Sequence, residues 1–348
     1  MSLIRRRKFG FFTAAGSSLL LASASFAQTN VCQRANQFFG DHRWSEAAEA
    51  FKDCEGASSG ATDALLFRGK ALVNLGDFAA AASSLESYIT SHSQSDDALY
   101  LLGYVRFRQD RPKDSLDLFA RAAKLKGPQA SDLKIAALDY VLLNDYISAA
   151  RYLERSLQLN PDDIEARYHL GRVRYQQNQF DAAIDAFQEV LRHNPQDVKA
   201  EENLGLCLEA KNQNNAAITA YRKAIELESD APSRSEQPYV DLGKLLTTLN
   251  RGEDAIPVLS QAVAIKPQSP IARYELGRAQ LYAGHIDKAR MQLEESVHLD
   301  PSNRSAHYLL GRVYKRMGKN DEAAAQFKLT EELIRQHNGE SGGMASSR

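Results

Sequence analysis

Cysteine, tryptophan and long apolar runs are all scarce in this chain. Its 348 residues include three cysteines and one tryptophan, and 43 lysines and arginines nearly balance 44 aspartates and glutamates. The absence of a strong basic excess disfavours binding to nucleic acid. The 43% of apolar residues is ordinary for a globular protein.

Sequence motifs for three common chemistries are also absent. The chain has no phosphate-binding G-x-x-x-x-G-K-[ST] loop, no C-x-x-C pair and no H-E-x-x-H zinc motif, and its eight histidines are scattered. We therefore predict a protein that is not an enzyme and has no catalytic residue, cofactor or metal ion. Carboxylates that converge only in the folded chain would escape this reasoning, because a sequence does not show which side chains meet.

The first 27 residues have the order of features that is typical of an export signal. A basic stretch at 5–8 precedes a mildly apolar run at 9–22, and Ala27 ends a small-x-small cleavage pattern. This pattern predicts cleavage near Ala27 and a periplasmic or secreted location in a bacterium. A retained membrane anchor is the alternative, but the run is shorter than the ~18 apolar residues of a span. The pair Arg6-Arg7 leaves open whether export is general secretory or twin-arginine.

Removal of residues 1–27 would also change the charge. This segment holds four basic residues and no acidic one, so its loss takes the formal net charge from −1 to −5. We therefore expect the mature protein to be mildly acidic, without a stable membrane span and without a nucleic-acid partner.

Residues 164–197 form a unit of 34 residues whose pattern recurs along the rest of the chain. It contains two stretches with apolar residues spaced by three and four, which predicts two amphipathic helices. Asn194-Pro195 closes the unit, because proline cannot continue a helix and disfavours helical backbone at the preceding residue. The unit is therefore expected to be a helix, a tight turn and an antiparallel helix.

Small residues mark the same place in nine such units. Steps of 34 residues, with one slip of four residues after the sixth unit, connect the nine positions that we call marks: Ala35, Gly69, Gly103, Ala137, Gly171, Gly205, Gly243, Gly277 and Gly311. A small residue follows twelve positions after each mark and a large apolar one sixteen positions after it. Glycine costs about 1 kcal/mol in a helix relative to alanine, so a close approach must offset it. We expect each glycine to face the small residue of its partner helix, and the large residue to lie between adjacent units.

This pattern resembles the tetratricopeptide repeat, whose period is 34 and whose signature includes Leu-Gly, Ala-x-x-x-Phe and a closing proline. Leu170-Gly171, Ala183 with Phe187, and Pro195 match it. The resemblance implies an all-α fold, a right-handed α-solenoid superhelix of about nine helix-turn-helix repeats. We expect an export signal at 1–27, repeats one to six at 28–231, an insertion or hinge at 232–235, repeats seven to nine at 236–337, and a disordered tail at 338–348.

Two of the three cysteines lie in the first repeat. Cys32 is on its first predicted helix and Cys54 on its second, and antiparallel helices bring such positions together. An exported protein meets an oxidising compartment, so we predict a Cys32–Cys54 disulfide that stabilises the terminal repeat. Two buried free thiols are the alternative.

Tyrosine and arginine recur on the first helices of several repeats. Tyr168 and Arg172, Tyr274 and Arg278, and Tyr308 and Arg312 are each four residues apart and so share a helix face. In the family that the pattern resembles, first helices line the concave groove, which implies that this face meets a partner. The predicted groove residues are Tyr100, Tyr104, Tyr168, Arg172, Tyr175, Tyr274, Arg278, Tyr282, Tyr308 and Arg312. Alternatively, the tyrosines are part of the repeat framework and the arginines pair with neighbouring glutamates.

These features favour a non-enzymatic interaction scaffold. Tyrosine and arginine often carry binding energy at interfaces, so we expect the groove to bind an extended, partly acidic segment of another protein. Exported arrays of this kind assist envelope assembly, secretion or polysaccharide export, which the resemblance implies here as well. The alternative is a periplasmic ligand-binding protein that holds an anionic glycan or a peptide, with tyrosine rings stacked on sugars and arginines paired with acid groups.

Overall fold

The computed structural model describes residues 31–55, 63–228 and 234–345, with side chains to 336. In this part of the chain every regular element is an α-helix, which confirms the predicted all-α fold. The helices alternate along the chain as antiparallel pairs, as the repeat pattern predicts. By internal contacts the chain forms two compact units, one ending at Ala166 and the other beginning at Arg167. The predicted export signal at residues 1–27 lies outside the described residues.

The first unit contains four helical hairpins. Its helices are α1 (31–40), α2 (Trp44–Glu55), α3 (Ala64–Leu75), α4 (Phe78–Ser91), α5 (Asp96–Arg108), α6 (Pro112–Ala123), α7 (Ala130–Leu142) and α8 (Tyr146–Leu159). Odd numbers are the first helices of the hairpins and even numbers the second. The proline that begins α6 suits that place, since its missing N–H would have no partner in the first turn.

The second unit contains five hairpins. Its helices are α9 (Ile164–Gln176), α10 (Phe180–His193), α11 (Val198–Ala210), α12 (Asn214–Glu228), α13 (Gln237–Thr248), α14 (Gly252–Ile265), α15 (Pro270–Tyr282), α16 (Ile286–Leu299), α17 (Arg304–Arg316) and α18 (Asn320–Ala345). The start of α9 precedes the unit boundary by three residues. The insertion predicted at 232–235 falls between α12 and α13, and a hinge there stays a prediction because residues 229–233 lie outside the described part.

Every hairpin turns at the same position of the repeat. The residue seven positions after the mark has a positive φ, between 56° and 87°, in all nine hairpins. The nine residues are His42, Gly76, Asp110, Asn144, Asn178, Asn212, Asn250, Gly284 and Gly318. Left-handed backbone at this point satisfies the last carbonyls of the first helix and reverses the chain. Glycine and asparagine tolerate this conformation best, which explains their frequency there.

The marked glycines provide close approach between the two helices of a hairpin, but not to the residue that we expected. A Cβ atom on Gly171 would lie 2.9 Å from Cε1 of Phe187, and one on Gly311 would lie 2.7 Å from Cε1 of Phe327. The large residue sixteen positions after the mark therefore packs on the glycine of its own hairpin. The prediction that the glycine faces the small residue was wrong for Gly171 and Gly311, whereas the large residue also reaches the adjacent unit as predicted at Phe51, whose ring stacks on Phe67 of the next repeat with centroids 5.7 Å apart. A flat aromatic ring needs the space that a missing side chain leaves.

The small residues twelve positions after the marks are buried instead in the tightest part of the core. Eight of the nine have no exposed surface and Ala323 retains 3%. Their small size allows second helices to pack against the neighbouring hairpin. In the first unit one continuous apolar core runs from Cys32 to Ala122, across the first three hairpins. A hairpin of this size buries too little surface alone, so stacking must supply its stability.

The amino-terminal end of the described chain agrees with the prediction of paired cysteines, whereas the carboxyl-terminal end differs from the predicted disordered tail. Cys32 and Cys54 lie with their sulfur atoms at bonding distance and their Cα atoms 5.1 Å apart, as a disulfide requires. At the other end, α18 continues through Ala345, so the expectation of a disordered tail is corrected for residues 338–345. Once a helix has formed on a packed face, each further residue adds a hydrogen bond without a new nucleation cost. Residues 346–348 lie outside the described part.

Candidate functional site

The ten predicted groove residues divide between the two units. Tyr100 and Tyr104 lie on α5 in the first unit, and the other eight lie on α9, α15 and α17 in the second. All ten are therefore on first helices. The structure brings five of them together at a single pocket in the last two hairpins, and it gives the remaining five different surroundings.

The five residues that meet are Tyr274, Arg278, Tyr282, Tyr308 and Arg312. They line a pocket of about 490 Å³ between α15 and α17, which we call the Tyr/Arg pocket. Arg304, Ser305, Leu309, Thr330 and Ile334 complete its lining. The helical spacing predicted from sequence explains this convergence, because residues four apart on α15 face residues four apart on α17.

Arg312 occupies the middle of this pocket. Its guanidinium carbon lies 5.7 Å from the ring centroid of Tyr282 and 6.0 Å from that of Tyr308. Both distances fit cation–π attraction, which holds the charge between two rings without neutralising it. The two tyrosines are half exposed, at 50% and 49%. Among the described residues no carboxylate forms an ion pair with Arg312, so its charge is available to a ligand.

Arg278, by contrast, belongs largely to the framework. Its Nε atom lies 3.0 Å from Oε2 of the buried Glu275, and its Nη2 donates to the Lys244 carbonyl at 3.1 Å. Burial is the main reason that the pKa of Tyr274 lies above its ordinary value, and the neighbouring Glu275 acts in the same direction. The alternative interpretation, in which arginine pairs with glutamate, therefore applies to Arg278 but not to Arg312.

The charge of the Tyr/Arg pocket has one sign. Three arginines line it, at positions 278, 304 and 312, and its lining includes no aspartate or glutamate. Planar guanidinium groups bind carboxylates through paired hydrogen bonds, and tyrosine hydroxyls can add further ones. The pocket can therefore accept an acidic group and an adjacent flat or apolar group at the same time.

The three predicted residues on α9 are placed mainly as framework. The ring of Tyr168 packs against Phe187 with centroids 5.7 Å apart, and its hydroxyl accepts a hydrogen bond from Asn203 at 3.2 Å. Burial raises the pKa of both Tyr168 and Tyr175. Arg172 is exposed on the same helix.

Tyr100 and Tyr104 face charge of the opposite sign. They line a second pocket, of about 650 Å³, with Asp96, Asp97 and Asp132 as well as Lys126. The hydroxyl of Tyr100 donates to the Lys126 carbonyl at 2.7 Å, and burial with two of the aspartates raises the pKa of Tyr100 to about 12. Lys126 pairs with Asp96 at 3.4 Å and Lys70 with Asp97 at 2.5 Å, so the nearby amines are already paired and this pocket does not suit the acidic segment that we expected there.

Five residues that line the Tyr/Arg pocket were not predicted from the sequence, namely Arg304, Ser305, Leu309, Thr330 and Ile334. Arg304 begins α17, while Thr330 and Ile334 lie on α18 and face back toward the first helices. The last hairpin has no following repeat in the described chain, so its second helix is free to border the pocket. Ile334, which is 41% exposed, gives the pocket an apolar edge that the comparison of first helices could not reveal, because it lies on a second helix.

The described residues contain neither a cluster suited to a metal ion nor a helix that could span a membrane. No group of three or more histidine, cysteine, aspartate or glutamate side chains is arranged to hold a metal ion in this part of the protein. Within the same residues, each helix is too short or too polar to cross a membrane.

Comparison with known protein families identifies the repeats. Models described as tetratricopeptide repeat match residues 32–95, 66–130 and 274–336, and others of the same description match 140–203, 202–230 and 246–298. Together they cover most of the chain. The chain therefore belongs to the tetratricopeptide repeat family, as its sequence pattern predicted, and such repeats serve as scaffolds for interaction with proteins or peptides. No curated protein matches the chain significantly.

Solved structures agree on the fold. The C-terminal part of a repeat protein from Cytophaga hutchinsonii is 16% identical, with a TM-score of 0.59 over 70% of this chain and 99% of that one. A tetratricopeptide repeat protein from Parabacteroides merdae is 16% identical, with a TM-score of 0.52 over 73% of this chain and 98% of the other. The APC/C hetero-tetramer Cut9–Hcn1 is 16% identical, with a TM-score of 0.54 over 86% of this chain and 56% of that one. At such identities these similarities concern the fold alone.

Proposed function

We propose that this protein is an exported interaction scaffold and that its Tyr/Arg pocket binds an extended, acidic segment of another protein. One observation carries the proposal: Arg312 lies between two half-exposed tyrosine rings and has no carboxylate partner among the described residues. An unpaired guanidinium held in this way has lost part of its freedom before a ligand arrives. Binding therefore costs less entropy than it would for a flexible surface arginine.

The pocket suggests how the segment would bind. A carboxylate would pair with the Arg312 guanidinium, and the exposed edges of Tyr282 and Tyr308 would contact the neighbouring residues of the segment. Tyrosine buries a large area with little loss of side-chain freedom, which suits it to this role. Arg304 would add longer-range attraction, so the affinity should fall as ionic strength increases.

The proposed location follows from the sequence of residues 1–27. A basic start, a mildly apolar run and a small-x-small site at Ala27 support export, and a Cys32–Cys54 disulfide would suit an oxidising compartment. A scaffold in the bacterial envelope would act in envelope assembly, secretion or polysaccharide export, and the pocket would then recognise an acidic segment of a protein in one of these systems.

A peptide array tests the proposal directly. Matched peptides would be made in acidic, neutral and basic versions and probed with the chain that begins at Gln28. We expect the acidic versions to bind, and Arg312→Glu to weaken their binding by about tenfold or more, as hot-spot residues do. The matched control is Arg222→Glu, which reverses the same charge at an exposed position on α12. Selection of neutral or basic peptides, or unchanged binding by the Arg312 variant, would contradict the proposal.

The two exposed tyrosine rings also favour a second candidate ligand, an anionic glycan. Half-exposed aromatic faces beside a guanidinium are suited to a sugar ring that carries an acid group. A glycan array separates the two candidates. Binding to uronic-acid oligosaccharides, lost in Arg312→Glu and absent for acidic peptides, would favour the glycan.

A further inference from the structure

A separate cavity in the first unit has the features of a small-molecule site. It has a volume of about 370 Å³ and lies between the hairpin of α5 and α6 and the hairpin of α7 and α8. Its walls are aromatic and aliphatic and include Phe119 on α6, Leu133 and Tyr140 on α7, and Tyr152 on α8. The rings of the two tyrosines have centroids 5.1 Å apart. We call this space the aromatic cavity.

Small residues at two positions of the repeat create the aromatic cavity, one at a buried position and one at an exposed position. Ala136 immediately precedes its mark, where six other repeats have leucine: Leu102, Leu170, Leu204, Leu242, Leu276 and Leu310. Ala123 stands twenty positions after its mark, where six other repeats have a branched aliphatic residue: Ile89, Leu157, Leu191, Ile225, Val263 and Val297. Both alanines line the cavity. Each therefore leaves unfilled the volume that a larger side chain occupies elsewhere.

The length of α6 adds to this space. It has 12 residues and ends at Ala123, whereas α4, α8, α10, α14 and α16 each have 14. Ala120, which also lines the cavity, is exposed at a position where most other repeats have a long polar side chain. The entrance is therefore open on the side of the second helices.

Two cations border the entrance. Arg151 and Arg155 are exposed, lie four apart on α8, and so share one helix face at the edge of the cavity. Arg155 donates to the neutral Gln158 at 2.9 Å. The lining also contains one carboxylate, Asp132, whose Oδ2 accepts the backbone N–H of Gln129 at 2.8 Å at the start of α7, so the acid group of a ligand would have to lie on the side of Arg151 and Arg155.

We propose that the aromatic cavity binds a small amphipathic carboxylate, with its apolar acyl or aryl body inside and its acid group on Arg151 and Arg155. The cavity volume lies within the range of small-ligand pockets, which are mostly apolar and hold a few placed polar groups. The apolar walls supply affinity through burial, and the two guanidinium groups select an anion. The site is distinct from the Tyr/Arg pocket, which lies in the other unit.

Calorimetric titration of the chain that begins at Gln28 tests this proposal. The probes are decanoate, decanol and 2-naphthoate, each kept below the concentration at which it self-associates. We expect saturable binding of at least one carboxylate. Comparison of decanoate with 2-naphthoate shows whether the body is acyl or aryl. Decanol, which lacks the acid group, should bind about fivefold more weakly than decanoate if both bind, the effect of an exposed ion pair.

Two variants examine the two parts of the site. Ala123→Ile restores the residue type of the other repeats at an exposed position, so it should fill the aromatic cavity without unfolding the chain and should abolish binding. Arg151→Gln with Arg155→Gln should weaken carboxylate binding about fivefold and leave decanol binding unchanged. The matched controls are Ala182→Ile on α10 and Arg222→Gln on α12, both exposed positions in the other unit, and neither should change binding.

Three results would overturn the proposal. The first is the absence of saturable binding for both carboxylates. The second is binding that Ala123→Ile leaves unchanged, which would place the ligand elsewhere. The third is equal affinity for decanoate and decanol together with no effect of the arginine substitutions. This result would show that the acid group of the ligand does not contribute to binding.

Discussion

At the scale of single residues, a few side chains depart from the repeat pattern and account for most of the specific chemistry. Arg312 differs from Arg278, its counterpart one repeat earlier, because Glu275 neutralises only the latter. Asp139 stands two positions after its mark, where other repeats have residues such as Val105, Val173 or Val313. Such departures are visible in the sequence, but their consequences depend on which neighbours the fold supplies.

Asp139 should make stability depend on pH. Its carboxyl is fully buried, neither oxygen has a hydrogen-bond partner of good geometry, and burial raises its pKa to about 7 against the opposing effect of the Ser115 hydroxyl. The folded chain therefore holds a proton that the unfolded chain releases near pH 4, so stability decreases as pH rises from about 4 to about 7. Asp139→Asn should remove this loss and gain ~2 kcal/mol at pH 8, with a smaller gain at pH 5.

Urea unfolding at the two pH values measures this effect. The control is Asp162→Asn, at an exposed position, which should change stability little at either pH. An equal effect of Asp139→Asn at both pH values would show that the buried carboxyl does not titrate in this range.

The pair of cysteines in the first repeat gives a second prediction at this scale. The geometry of Cys32 and Cys54 allows a disulfide, whereas Cys207 is a buried free cysteine in the structure. Mass spectrometry of the non-reduced, exported protein should find the two peptides linked. Replacing both cysteines with serine should cost ~3 kcal/mol of stability through loop closure. Recovery of both thiols in free form would refute the disulfide.

At the scale of helices, the repeat depends on contact between a glycine and the large residue sixteen positions later. The spacing of these residues was readable from the sequence, and so was the need for close approach, since helical glycine is unfavourable without compensation. The partner of the glycine was not readable. Both Ala183 and Phe187 lie on the facing helix, and only the helix rotation decides which one meets Gly171.

Substitution of one marked glycine tests this contact. Gly171→Ala improves local helix propensity, but the new Cβ would lie 2.9 Å from the Phe187 ring. We expect a net loss of ~1–3 kcal/mol, as for other overpacked cores. Gly40→Ala is the matched control, because a Cβ at Gly40 meets no atom within 4 Å. It should be neutral or stabilise by up to ~1 kcal/mol in urea unfolding. Equal stabilisation by both substitutions would disprove the packing role.

At the scale of the whole molecule, periodicity predicted the fold well and the sites only in part. Nine marks placed nine hairpins, because each unit repeats one local solution. The same reasoning grouped ten tyrosines and arginines into a single groove, although Asp96, Asp97 and Asp132 make the surroundings of Tyr100 acidic. Those aspartates lie at helix starts, outside the face that the pattern compares. The aromatic cavity was not predicted because it arises from the side-chain volume that Ala123 and Ala136 lack relative to the larger residues at the same positions of other repeats.

Export is the prediction that concerns the whole chain. The protein recovered from an envelope fraction should begin at Gln28, and N-terminal sequencing measures this. Replacing Arg6 and Arg7 with lysine should block export if the route is twin-arginine and leave it unchanged if the route is general secretory. Recovery of the uncleaved chain in the cytoplasm would refute the predicted location.

Side-chain footprinting of the Tyr/Arg pocket tests the central claim most directly. Hydroxyl-radical oxidation would be measured in the chain that begins at Gln28, with and without the best acidic peptide from the array. Tyr282 and Tyr308, which are half exposed, should lose most of their oxidation on binding, whereas Met291 on α16, at 59% exposure, should not change. Unchanged oxidation of both tyrosines under saturating peptide would contradict the account, because the segment would then bind elsewhere.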